Sequence, residues 1–406
     1  MKADLPVEDR TTSRRRRTSR VWCAALLGAI STAVLVSFGV PAAEAGEVPT
    51  NRSPHVAGTT GAATIGMLTA PGQPSCSATG EGSPTASTGY LLAGSDGSVY
   101  SCGNAPWYGS LTSEHIRPDG RVVGIAACGN GYWLATSTGA VYSFGQNPYL
   151  GRADGTQLNS PVVGITAAIC SGWYGYWLVT SDGAVINFGV AGALGSAGSI
   201  QLNRALVGMA ATPEPLAACY GARLYCYEGY WLAAADGGIF TYSSPGPGTT
   251  GYYGSPAYFL GSTGCLTLNQ PIVGLAASPD TTDVGTGTAC HSGPESPGGY
   301  WMVASDGGIF AFGNAPFLGS TGCIRLDRPV VGMIASPDMT TVGESTACIP
   351  GAGTTGGPAN LQPGGYMMVA SDGGVFTFGN ATFAGSLPGS GISVDDIVGV
   401  GLSSPH

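Results

Sequence analysis

Side chains able to do acid–base, nucleophilic or ligand chemistry are sparse in this sequence, and their spacing gives little support to catalysis. Asp395 and Asp396 are adjacent, while Glu214, Glu228, Glu295 and Glu344 fall in segments rich in glycine, serine and proline. A glycosidase needs two carboxyl groups about 5–10 Å apart across one sugar ring. Neighbours on a strand point to opposite faces, so Asp395 and Asp396 are not expected to share a site. The four loop glutamates could converge, but solvated loop carboxylates are the plainer reading. His291 and His406 have no serine or cysteine partner at a recognisable spacing. The four histidines are scattered and the cysteines are not CxxC-like, so no metal site is expected. No G-x-S-x-G elbow leads into a helix. No cofactor is expected either.

Cysteines offer a different chemistry. Cys23 lies near the start. The remaining ten are Cys76, Cys102, Cys128, Cys170, Cys219, Cys226, Cys265, Cys290, Cys323 and Cys348. An even count suits disulfides in an exported chain. Cys219–Cys226 is the simplest local pair. Cys265 and Cys290 share their separation with Cys323 and Cys348, at equivalent positions, which suggests the same bond made twice. The strand between the members of each pair would separate them, unless the long loop folds back.

The elements that must position these groups are repeats. Gly299–Gly313 reads GYWMVASDGGIFAFG, and related stretches start at Gly89, Gly131, Gly175, Gly229 and Gly365. Their tyrosines, Tyr90, Tyr132, Tyr176, Tyr230, Tyr300 and Tyr366, are separated by 42, 44, 54, 70 and 66 residues. A fixed period of this size marks a stacked-repeat architecture. Two short apolar runs around an Asp-Gly or Gly-Gly turn form a hairpin signal. It predicts hairpins at 90–102, 132–144, 176–188, 230–242, 300–312 and 366–378. A shorter element such as Ala315–Ser320 (APFLGS) follows each hairpin, and then an apolar run such as Pro329–Ser336 (PVVGMIAS). Four strand candidates per unit, apolar on both faces, predict an all-β chain: a β-propeller of about six four-stranded blades, with seven as the alternative.

Inner-strand candidates are Ala63–Ala70, Val122–Ala127, Val162–Ala167, Leu206–Ala211, Ile272–Ala277, Val330–Ala335 and Ile397–Leu402. That makes seven inner strands for six hairpins, so one of the terminal two should close the ring, and sequence does not say which. The turn aspartates Asp96, Asp182, Asp236, Asp306 and Asp372 are expected to be structural, since a side chain repeated in every unit serves the unit. The Tyr-Trp pairs of the hairpins are likewise expected in the core. Aromatics that break the repeat are better ligand candidates: Trp173, Tyr174, Tyr220, Tyr225, Tyr227, Tyr252 and Tyr253. Long connections before Tyr90, Tyr230, Tyr300 and Tyr366, with the insertion 243–257, are expected to open on one face and form a binding crescent.

Residues 1–45 read as a secretory signal peptide: basic Arg14–Arg17 and Arg20, apolar Val21–Val40, and an A-x-A site ending at Ala45. A retained membrane anchor is the alternative. Twin-arginine export is a lesser one, since Thr18-Ser19 are not the apolar residues that route favours. Residues 46–62 look like a flexible segment, and 63–406 form the repeat domain. Losing the leader leaves eight arginines, no lysine and twenty carboxylates. That balance argues against nucleic acid or an anionic membrane surface as partner.

The units GYWxVASDGGIFAFGNAPFLGS and PVVGMxASPD are similar to a repeat of secreted actinobacterial proteins. That repeat often stands beside cell-wall-active or glycan-active domains. The resemblance spans roughly Ala63–Leu402 and implies a propeller, with no catalytic residues to carry over. The S-D-G-G-I-F turn more weakly resembles the aspartate hairpin of sialidase-type propellers, where the aspartate is structural. The expectation is a secreted, monomeric, non-catalytic module that binds an extracellular glycan, cell-envelope material or a protein. The alternatives are a propeller-type glycan hydrolase or lyase using loop carboxylates, and a protein–protein scaffold or adhesin.

Overall fold

A computed structural model of the chain describes residues 75–76, 89–168, 174–213, 229–243, 257–279, 284–285, 296–337, 342–343 and 362–403. The leader, the segment 46–62 and the strand candidate Ala63–Ala70 lie outside them. The described residues fall in one compact unit, Met67–His406. They are all-β apart from a short 3-10 turn at Pro388–Ser390.

Each repeat folds as a small antiparallel sheet whose central strand is the GYW run. In the fifth sheet, Ile272–Ala277 is the inner strand, Gly299–Ala304 the central one and Ile309–Gly313 the third. The second, third, fourth and sixth sheets repeat this order, with inner strands Val122–Cys128, Val162–Ala167, Leu206–Ala211 and Val330–Ala335. The first sheet takes its inner strand from the far end of the chain. Ile397–Ser403 pairs antiparallel with Gly89–Gly94, which pairs in turn with Val99–Cys102. That settles which described terminal strand completes the first sheet. It also corrects one expectation: the inner strand of the first sheet is not supplied by the segment that precedes Tyr90. That segment's Ser75–Cys76 instead pairs parallel with Ser101–Cys102 on the outer edge.

Among the described residues six such sheets form a cycle. Each inner strand contacts the inner strand of the next sheet, and Val330–Ala335 contacts Ile397–Ser403, which contacts Val122–Cys128. This is the β-propeller arrangement. Six buried clusters lie between neighbouring sheets, which is why every central strand is buried on both faces. Each central-strand indole packs on the next sheet's tyrosine: Trp133 on Tyr176, Trp177 on Tyr230, Trp231 on Tyr300 and Trp301 on Tyr366, with ring centroids 5.1–5.3 Å apart. Inner strands approach closely enough to require glycine. A Cβ on Gly274 would meet the Gly332 Cα at 3.2 Å.

Among the described residues the expected fourth strand does not form. Residues 314–320 and their equivalents join no ladder, so the described blades are three-stranded, except for the first sheet with its two-residue parallel edge. Side chains satisfy the backbone of this outer segment instead. Trp301 Nε1 donates to the Pro316 carbonyl at 2.7 Å. From the next sheet, the Tyr366 hydroxyl accepts from the Leu318 N–H at 3.1 Å and donates to the Gly319 carbonyl at 2.6 Å. The tyrosine bond recurs at every junction: Tyr90 to Gly385, Tyr132 to Gly109, Tyr176 to Gly151, Tyr230 to Gly195 and Tyr300 to Gly261. Each accepting glycine has φ between 109° and 133°, a region that side-chain-bearing residues avoid.

The turn aspartates act as the repeat suggests. Asp306 Oδ1 accepts the Gly308 N–H at 3.0 Å, and Asp96, Asp236 and Asp372 do the same two residues on. In the second sheet, where Thr138 stands in place of aspartate, the Thr136 hydroxyl accepts the Ala140 N–H at 3.1 Å. At Asp182 the Thr180 hydroxyl donates to the carboxylate and holds its pKa below the ordinary aspartate value.

Candidate functional site

The inner strands start at one end of the ring, and there an axial cavity of about 690 Å³ opens. Its wall comes from one sequence feature, the apolar pair followed by glycine that begins most inner strands. In each sheet the register slips at this point. Val122 faces Thr136 and Gly124 faces Ala135, so Val123 is an extra, bulged residue. The same slip falls at Val163, Val207, Val273, Val331 and Val398. A bulge re-aims its side chain, and Val123, Val163, Val273, Val331 and Val398 line the cavity.

Backbone hydrogen bonds make the mouth a closed collar. Ser95, Ser137, Ser181, Ala235, Ser305 and Ser371 each follow a central strand. Their carbonyls accept from Val122, Val162, Leu206, Ile272, Val330 and Ile397, the first residues of the next inner strands, at 2.8–2.9 Å. Their own N–H groups donate to the residue preceding their own sheet's inner strand, at 2.8–3.0 Å. The link from Ser371 to Ile397 joins the sixth sheet to the first.

Polar groups gather on one side of this mouth. Ser95, Arg121, Ser137, Ser371, Asp395 and Asp396 all line the cavity. The Ser95 hydroxyl donates to Asp396 Oδ2 at 3.2 Å, and Arg328 approaches Asp395 at 3.9 Å with both side chains exposed. Asp395 and Asp396 both border the cavity, and their side chains meet partners from different sheets. They precede the strand Ile397–Ser403 rather than lying in it, so strand alternation does not apply. The arrangement suits hydrogen bonding to a ligand with an apolar body. Among the described residues no group of three or more His, Cys, Asp or Glu is placed to hold a metal ion.

Of the aromatics singled out from sequence, Tyr174 is half-buried. Its ring meets Trp133 edge-on at 6.2 Å, and its carbonyl accepts the Val190 N–H at 3.1 Å, so here it packs against the frame. Trp173, Tyr220, Tyr225, Tyr227, Tyr252 and Tyr253 lie outside the described residues, as do Glu214, Glu228, Glu295, Glu344, His291 and His406. Cys219 and Cys226 do too. Cys265 and Cys323 are both disulfide-bonded, while Cys290 and Cys348, the partners expected from spacing, lie outside. Sequence reasoning missed the bond between Cys76 and Cys102, which ties the parallel edge to the first sheet. A separation of 26 residues, close to that of the two repeated pairs, was the available signal.

The loops of the fifth and sixth sheets share a further feature. Val284–Gly285 pairs with Ser296–Pro297, and Val342–Gly343 pairs with Gln362–Pro363, in the same antiparallel register.

No protein-family model matches the chain, and no curated protein does. Among solved structures, BBS1N in complex with ARL6DN aligns over 73% of this chain and 76% of its own, with 11% identity and a TM-score of 0.34. BamB from Moraxella catarrhalis aligns over 73% and 84%, with 14% identity and a TM-score of 0.31. Human WBSCR16 aligns over 72% and 74%, with 14% identity and a TM-score of 0.28. Likeness at this level carries no argument about function.

Proposed function

We propose that the chain is a secreted, non-catalytic binding module: a monomeric six-bladed propeller that recognises extracellular glycan or cell-envelope material. The observation that carries this reading is the pair of matched β-arms in the fifth and sixth sheets. The loops 278–298 and 336–364 differ in length, yet both close on the same two-residue ladder. Loops drifting without constraint would not share a register. Insertions on one face of a repeat protein usually build its binding surface. The low content of charged side chains, 10% of the sequence, fits a neutral ligand better than a polyanion.

The test is a glycan array and a pull-down from cell-envelope material with the oxidised, exported protein. Shortening 278–298 and 336–364 to the two-residue link found between Cys128 and Gly131 should abolish capture and leave circular dichroism unchanged. A folded, trimmed protein that captures the same material with undiminished affinity would place the function elsewhere.

A further inference from the structure

The outer segments carry an aromatic residue at one equivalent position in five sheets: Trp107, Tyr149, Phe259, Phe317 and Phe383, with Ala193 in the third sheet. Tyr149 (44% exposed), Phe259 (39%), Phe317 (37%) and Phe383 (47%) reach solvent. Their outward position is fixed by the backbone. Around Phe317, the carbonyl before it is held by Trp301, and the N–H and carbonyl after it by Tyr366. Leu318 is therefore buried and Phe317 stands outside. Around Tyr149, Trp133 holds the Pro148 carbonyl at 2.9 Å and Tyr176 holds that of Gly151 at 2.6 Å. Beside Phe383, Tyr90 accepts from the Ala384 N–H at 3.3 Å and donates to Gly385.

The third sheet shows that the fold does not need this ring. Its outer segment is pinned in the same way, by Trp177 to Gly192 at 2.8 Å and by Tyr230 to Gly195 at 2.5 Å, with Ala193 between them. Trp107 serves structure instead: its Nε1 donates to the Val99 carbonyl at 2.9 Å and its ring is half-buried. Tyr149, Phe317 and Phe383 thus stand exposed at pre-positioned sites where the third sheet shows that no aromatic is needed.

We propose that Tyr149, Phe317 and Phe383 are stacking platforms for a neutral polysaccharide, one ring per sheet around the outer circumference. A recurring aromatic suits a ligand with recurring apolar faces, as the C–H faces of pyranose rings are. Charge points the same way. Residues 314–321 and 380–387 contain no charged side chain, and Arg152 beside Tyr149 is paired with Asp154 at 3.0 Å. A phosphate-bearing or cationic partner would find no charge in those two segments to pair with, whereas the exposed Thr382 offers a neutral hydroxyl. The choice of a glycan over another neutral polymer rests on the function proposed above. The surface itself is distinct from the loop arms.

Affinity electrophoresis of the exported protein in native gels containing hydroxyethyl cellulose, glycol chitin or glucomannan tests this. At least one polymer should retard the wild type. The triple variant Y149A/F317A/F383A should lose about tenfold or more in affinity, because linked contacts fail together, with an unchanged melting temperature. Ala193→Tyr should increase retardation by the same polymer, and it needs no loss of packing to be read. Absence of retardation by all three polymers overturns the proposal. So does a triple variant that binds as the wild type does, or one whose effect is to dissociate a dimer in size-exclusion chromatography. Loss of binding in the loop-trimmed protein alone would support the loop site and reject this one.

Discussion

The Tyr90 hydroxyl donates a hydrogen bond to the carbonyl of Gly385, 295 residues away in sequence. The same bond elsewhere spans far less chain, as from Tyr176 to Gly151 or Tyr366 to Gly319. Tyr90 therefore does for the two ends of the domain what its counterparts do for successive repeats. A collar bond from Ile397 to Ser371 and a buried cluster of Leu92, Met367, Val369 and Ile397 accompany it at the same junction. The last junction shares the tyrosine bond, the collar bond and the buried cluster with the others, but Met367 stands where four junctions set a tryptophan against the tyrosine, and the Cys76–Cys102 edge packs into its cluster.

Replacing Tyr90 with phenylalanine should destabilise the fold with little change in shape. The Ala384 N–H and Gly385 carbonyl lose their shared partner in a buried place, which costs about 1–3 kcal/mol. Chemical denaturation measures this, and Tyr176→Phe, within the ring, should cost a similar amount. A cost under about 0.5 kcal/mol for Tyr90→Phe would mean the terminal junction is not formed as described.

Alkaline stability should fail cooperatively. Burial raises the pKa of Tyr90, Tyr132, Tyr176, Tyr230, Tyr300 and Tyr366 well above the ordinary tyrosine value. A raised folded-state pKa means that the folded state holds its proton more tightly than the unfolded one. The contribution is thus fully present below about pH 10 and is lost as pH rises beyond it. Tyrosinate absorbance and circular dichroism followed together should show these six ionising only as the sheets unfold. Full tyrosine titration with the β-sheet spectrum intact would contradict the burial.

Peptide mapping of the oxidised protein should recover Cys76 linked to Cys102 and no free thiol at Cys128, Cys265 or Cys323. Removing the first bond as C76S/C102S should cost about 2–4 kcal/mol. It should free the parallel edge of the first sheet and leave the other five sheets in place. A thermal transition unchanged by the double substitution would argue that the edge contributes nothing.

The hairpins and inner strands were legible in the sequence because each is a compact apolar run set off by glycine turns. Ile272–Ala277 and Val330–Ala335 fall at the residues expected from pattern alone. The outer segment was misread because APFLGS has strand composition. Its hydrogen bonds go to the Trp301 indole and the Tyr366 hydroxyl, side chains that lie outside the segment and that no pattern within it reveals. Ring closure was not legible, since Ala63–Ala70 and Ile397–Leu402 look alike as inner strands. The bulge at Val331 was hidden too. Nothing in VVG tells which valine the register will skip, although that choice puts Val331 on the axial cavity. Nothing in the sequence singles out Phe317, because it falls at a repeated position and the ligand candidates there are the aromatics that break the repeat.

Native-state hydrogen exchange read by mass spectrometry tests the closed ring most directly, since it leaves the chain intact. Amides of Ile397–Ser403 should be protected to the same extent as those of Val122–Cys128, an inner strand far from either terminus. Exchange of 397–403 at the rate of a frayed end, with Val122–Cys128 still protected, would show that the C-terminal strand does not complete the first sheet and that the ring is open.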